Sequence, residues 1–126
     1  MGDGMIRIDL AFPPTGLSPN DREDWHVKAK IAKQYRYDCK IDSLHAKSFV
    51  PLKDLPTGEH MAVTITFILT SKRRRDFDNL IASFKAGMDG IVDAGILEDD
   101  SVWKYTPTYR VELGKKQAVR VELVTA

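Results

Sequence analysis

Residues Met61 to Thr70 read MAVTITFILT. Val63, Ile65, Phe67 and Leu69 alternate with Thr64, Thr66, Ile68 and Thr70. Period-two alternation over ten residues rich in β-branched and aromatic side chains predicts a strand with one face in a core. The next segment is equally constraining. Ser71–Arg75 is SKRRR, four basic residues in five, and a helical pattern begins directly afterwards.

That second pattern predicts a helix from about Asn79 to Asp93. Leu80, Phe84, Met88 and Ile91 are spaced 4, 4 and 3, Ile81 and Val92 widen the stripe, and Gly95 is the expected stop. Upstream, Ile6–Phe12 reads as a short first strand and PPTGLSPN as a turn-rich loop. Asn20, with Glu23 three residues on, is the expected cap of a helix over about 21–44. Trp25, Ala29, Ala32 and Tyr35 recur along it at helical spacing, and Lys28, Lys30, Lys33, Arg36 and Lys40 are assigned to its other face. Residues 46–60 read as a loop broken by Pro51 and Pro56. Val102–Leu113 and Ala118–Val124 read as strands, with Gly114–Gln117 as a hairpin turn between them. The order β-α-β-α-β-β predicts an α+β fold: a small mixed sheet with two helices packed on it.

At 126 residues the chain predicts a single domain, 1–126, with a core that a dimer would help to complete. With 43% hydrophobic and 29% charged residues it reads as globular. No apolar run approaches the roughly 20 residues that span a bilayer, so no membrane partner is expected. One cysteine, Cys39, excludes an intrachain disulfide and cysteine-pair zinc sites. His26, His45 and His60 lack metal-ligand spacing. With no secretory signal in MGDGMIRIDLAF, the simplest compartment is a reducing cytoplasm.

The net charge of +1 hides a sharp division. After SKRRR, the 25 residues Asp76–Asp100 hold seven acidic residues and one lysine, Lys85. Arg75-Asp76-Phe77-Asp78-Asn79 lies where the strand gives way to the helix, and Glu98-Asp99-Asp100 comes just after that helix. On a continuous helix Asp78, Ala82, Lys85 and Asp89 share one narrow stripe, roughly opposite the apolar one. Carboxylates brought together repel unless a cation sits between them, and magnesium needs only two or three oxygen ligands besides water. Such an ion activates water and stabilises charge on a phosphate; a nearby lysine can assist, and the basic block can hold the backbone. Simpler readings stand beside this one. Asp is an ordinary helix cap, a solvated turn often carries EDD, and Lys85 with Asp89 fits an i,i+4 surface pair. Trp25, Trp103 and Tyr105 are read as core or interface residues, and Cys39 as inert.

Other uses of an Asp-x-Asp pair fit less well. Aspartyl-nucleophile phosphatases place it directly after an apolar strand, where this chain has SKRRR. Nucleotide-sugar transferases need more chain, and no GxxxxGK[ST] phosphate loop exists.

The run RRRDFDNLIASFKAGMDGIVDAGILEDDSVWK resembles the RusA family of Holliday-junction resolvases. The resemblance rests on Asp76, Asp78, Asn79, Lys85, Asp89 and Asp99-Asp100, preceded by basic residues, and on SPNDREDWHVKAK near the N-terminus. It implies a homodimeric, magnesium-dependent endonuclease, with manganese as a substitute, that binds four-way DNA junctions and nicks two strands symmetrically. Asp76, Asp78 and Asp100 are then the essential acidic residues and metal ligands, with Asp99 as the alternative ligand, and Lys85 is the catalytic lysine. Better-known members carry that lysine at the position of Ala82, three residues earlier. Lys72, Arg73, Arg74 and Arg75, with Lys28, Lys30 and Lys33, are the expected DNA contacts. A broader nuclease of branched or flap DNA, a silent junction-binding protein and a metal-binding module unrelated to nucleic acid remain the competing functions.

Overall fold

The alternating run is the strand at the centre of the molecule. The computed structural model describes residues 5–19, 21–22, 24–51, 61–72, 76–97 and 107–125. In chain order they form β1 (Met5–Ala11), α1 (Trp25–Ser48), β2 (Met61–Leu69), α2 (Phe77–Ser83), α3 (Lys85–Asp93), β3 (Thr108–Leu113) and β4 (Ala118–Thr125), with a 3-10 turn at Thr15–Leu17. The four strands make one mixed sheet in the order β1-β4-β2-β3. β4 runs antiparallel to both β1 and β2, and β3 runs parallel to β2.

Alternation decides which face is covered. Ile6, Ile8 and Leu10 of β1, Val63, Ile65 and Phe67 of β2, and Val119, Val121 and Leu123 of β4 are buried in one cluster with Tyr35, Cys39, Leu80, Phe84, Met88 and Ile91 of the helices. The opposite face is polar. Across it Arg120 approaches Asp9 at 3.9 Å and Glu112 at 3.6 Å. Tyr35 ties α1 to the sheet by donating from its hydroxyl to the Ala11 carbonyl at 2.6 Å. The expected mixed sheet with helices on it is therefore present.

Three local expectations change. First, α1 begins at Trp25, and its cap is Asp24, whose Oδ1 accepts from the His26 amide at 2.7 Å. Asn20 and Glu23, the expected capping pair, lie outside the described residues. Trp25 falls in the first turn, beyond the covered face, and is 71% exposed, so it is no core residue. The buried positions of α1 are instead Tyr35, Cys39 and Ser43.

Second, the expected helix 79–93 is broken at Phe84 into α2 and α3. The Phe84 ring is buried edge-on to Phe67 and Tyr35, with centroids 6.0 and 6.4 Å apart. Ser83 Oγ donates to the Leu80 carbonyl at 2.8 Å, a local bond that competes with the helical ladder. Gly95 closes this segment at φ 77°, as the sequence predicts.

Third, Gly114–Gln117 is not a hairpin turn. β3 and β4 do not pair with each other; β2 lies between them and pairs with both. The four-residue connection passes over the end of β2, where the Gly114 amide donates to the Leu69 carbonyl at 2.8 Å. A Cβ on Gly114 would come within 2.6 Å of Ile68 Cγ2, so the crossing needs glycine. The described part of β3 begins at Thr108 rather than Val102, and residues 101–106 lie outside the description.

Candidate acidic site at the carboxyl end of the sheet

β2 and β3 are parallel, so their carboxyl ends coincide. Four features meet there: the exit of β2 through Ser71 and Lys72, the start of α2, the Gly114–Gln117 crossing and the exit of β1 through Phe12. Sheets with parallel strands characteristically bind ligands at this end.

Asp76 is the cap of α2. Its backbone is extended, and its Oδ1 accepts from the Asp78 amide at 2.9 Å. The capping reading of Asp76 thus holds. Both residues are exposed, and among the described residues neither is paired with a cation. Hard oxygens of this kind fit magnesium. Asp99 and Asp100, the expected source of the remaining ligand, lie outside the described residues. Among those described, no three His, Cys, Asp or Glu side chains come together.

The polar stripe survives the break at Phe84. Asp78, Ala82 and Lys85 are exposed and Asp89 is half-buried, while Leu80, Phe84, Met88 and Ile91 point inward. Lys85 Nζ lies 3.1 Å from Asp89 Oδ1, the expected i,i+4 pair. The pair is not isolated. Arg36 of α1 stands 4.0 Å from Asp89 through Nη1 and donates a two-pronged fork to Asp93, at 2.6 Å from Nε and 2.8 Å from Nη2. That fork holds the Asp93 carboxyl below the usual carboxylate range, chiefly by hydrogen bonding, against an opposing effect of burial and with the charges of Arg36 and Lys40 assisting.

The basic residues are divided. Lys72 is exposed at the exit of β2, and Lys30 and Lys33 are exposed on α1. Lys28 instead turns toward the proline-rich loop and donates to the Ser18 carbonyl at 3.2 Å, so it does not share the outer face of α1. Arg73, Arg74 and Arg75 lie outside the described residues. Lys115 and Lys116 were not singled out by the sequence. Read as a hairpin turn, they had no relation to β2; the crossing brings these two exposed lysines to the same end of the sheet as Lys72.

Burial pushes the Cys39 thiol up to about 12, partly opposed by the neighbouring Tyr35 hydroxyl. The inert reading of this cysteine stands. Burial also raises the hydroxyl of Tyr35 and, more weakly, that of Tyr109.

No family model matches the sequence. Among curated proteins, an uncharacterised protein of Xylella fastidiosa (strain Temecula1) is 33% identical over 95 residues, which cover 75% of this chain. The matched stretch spans 61% of that relative's length. No helix among the described residues is long and apolar enough to cross a membrane.

Proposed function

We propose that the chain is a magnesium-dependent endonuclease of branched DNA that resolves four-way junctions as a homodimer. The observation that carries this reading is the exposed pair Asp76 and Asp78, which flank Phe77 of a surface recess that Lys72 also lines, with Asp78 on the exposed helix stripe of Lys85. Asp76 and Asp78, with Asp100 or Asp99, would hold the ion; manganese would fit the same oxygens. When bound, the ion supplies an activated water and stabilises charge on the scissile phosphate. Lys85 then supplies a fixed positive charge to the phosphate, and Asp89 limits its travel. Lys72, Lys115, Lys116, Lys30 and Lys33 are available to the DNA backbone, and the motif resemblance adds Arg73–Arg75. A junction has twofold-related strands, to which a C2 dimer presents two equal sites.

The test is a labelled synthetic four-way junction incubated with magnesium, with calcium and with excess chelator. Paired symmetric nicks only in magnesium, with calcium supporting binding alone, are expected. Nicks on every branched form would point to a broader nuclease, and a shift without cleavage to a junction-binding protein. Full cleavage in chelator rules out the metal reading.

A further inference from the structure

Next to the acidic pair the surface holds a recess of about 270 Å³ that the metal reading leaves unused. Among the described residues, Phe77, Leu80, Val111 and Leu113 line its apolar side, and Ser71 and Lys72 its polar side. Three of these are large apolar side chains left in the open: Phe77 is 40%, Val111 47% and Leu113 54% exposed. Gathering them around one recess is unlike the scattered apolar residues of an ordinary surface. Phe77 is also held in place. Its ring meets Phe67 and Tyr109 edge-on, with centroids 6.5 and 6.2 Å apart. In the chain it stands between Asp76 and Asp78, so the recess adjoins the start of α2 that carries them.

We infer that this recess receives a single unstacked nucleobase, which rests on the ring of Phe77 while Lys72 meets its phosphate. The inference rests on the nuclease reading and adds a DNA contact to it. The volume lies just under the range of pockets for drug-sized ligands, which suits one planar ring system and excludes a peptide segment or a helix. Among the described residues the composition matches the same occupant: apolar walls for the two base faces, the Ser71 hydroxyl for a base edge and Lys72 at the rim for a phosphate. The charge pattern explains the need. Asp76 and Asp78 repel the DNA backbone where it must come closest. A base contact adds affinity there with no charge of its own, and stacking on an aromatic ring tolerates any sequence. The centre of a junction, where strands exchange, is where a base leaves its stack at least cost.

The test uses a four-way junction carrying 5-iodouracil at the point of exchange, irradiated with the protein in calcium so that it is bound and uncut. The expected adduct maps to the peptide containing Phe77. Phe77→Ala should weaken junction binding about tenfold and lose the adduct, and Phe77→Trp should keep both. Val111→Trp fills the recess from the opposite wall at an exposed position that leaves the core untouched. It should lose the adduct too, which keeps the test valid if Phe77→Ala folds poorly. A junction bound with normal affinity by Phe77→Ala and Val111→Trp, with adducts elsewhere, overturns the recess and leaves the nuclease reading standing. Failure of the wild type to bind any branched DNA overturns both. A Val111→Trp variant that changes only the oligomeric mass assigns the surface to a protein contact and overturns the inference.

Discussion

Asp76 carries two duties that substitution can separate. Asn caps a helix as well as Asp does, so Asp76→Asn should keep wild-type stability while losing magnesium-dependent cleavage. Asp76→Ala should lose cleavage and also about 1 kcal/mol of stability, read by denaturant unfolding. Asp78→Asn should abolish cleavage and leave junction affinity equal or better, because it removes a charge that repels phosphate. Lys85→Ala separates two readings in the same way. As a surface partner of Asp89 it contributes only about 0.2–0.5 kcal/mol. As a contact to the reacting phosphate, its loss should slow single-turnover cleavage about 10²–10³-fold, by analogy with a lost oxyanion donor. Cys39, 1% exposed and with its thiol pushed up to about 12, should resist alkylation at neutral pH until the protein unfolds. These residue-scale features were legible where they are local. The Asp76 cap spans two residues and the Lys85–Asp89 pair four. The fork from Arg36 to Asp93 spans 57 positions and depends on how two helices pack, so no spacing rule reveals it.

At the scale of elements, that fork joins α1 to α3, and it sets a pH dependence. The Asp93 carboxyl is held below its ordinary value of about 4 in the folded protein. Its contribution to stability is therefore complete above that ordinary value and is lost as the pH falls through the lowered one. Asp93→Asn should flatten the acid side of the stability-versus-pH curve and leave the neutral side parallel to wild type, measured by urea unfolding at a series of pH values. The two helices also approach closely beside it. A Cβ at Gly90 would stand 2.5 Å from the Arg36 carbonyl oxygen, so Gly90→Ala should cost about 1–3 kcal/mol by forcing them apart. The helix stripes were readable because burial selects them at a period of 3.6 residues. The break at Phe84 was not, since it arises from seating one ring against Phe67 and Tyr35, which are remote in sequence.

For the whole molecule, the fold class was readable from the order of elements, while the strand order was not. Two strands four residues apart pair as a hairpin by default, and nothing local to Gly114–Gln117 says that a third strand enters between them. The proposed dimer makes a simple prediction. Sedimentation should give twice the 14.2 kDa chain mass at the concentrations that cleave junctions. The crossing over β2 has a further consequence, for the time the chain takes to fold. β3 and β4 have no shared ladder to zip early, and every strand pair in the sheet joins segments far apart in the chain. β2 must be captured on one side first, and the short link then swings the remaining strand to its other edge. Such late, non-local closure makes folding slow for a chain of this size. The β2 side chains should already be packed at the barrier. Ile65→Val, expected to cost about 1 kcal/mol, should then slow refolding in stopped-flow kinetics and leave the unfolding rate nearly unchanged.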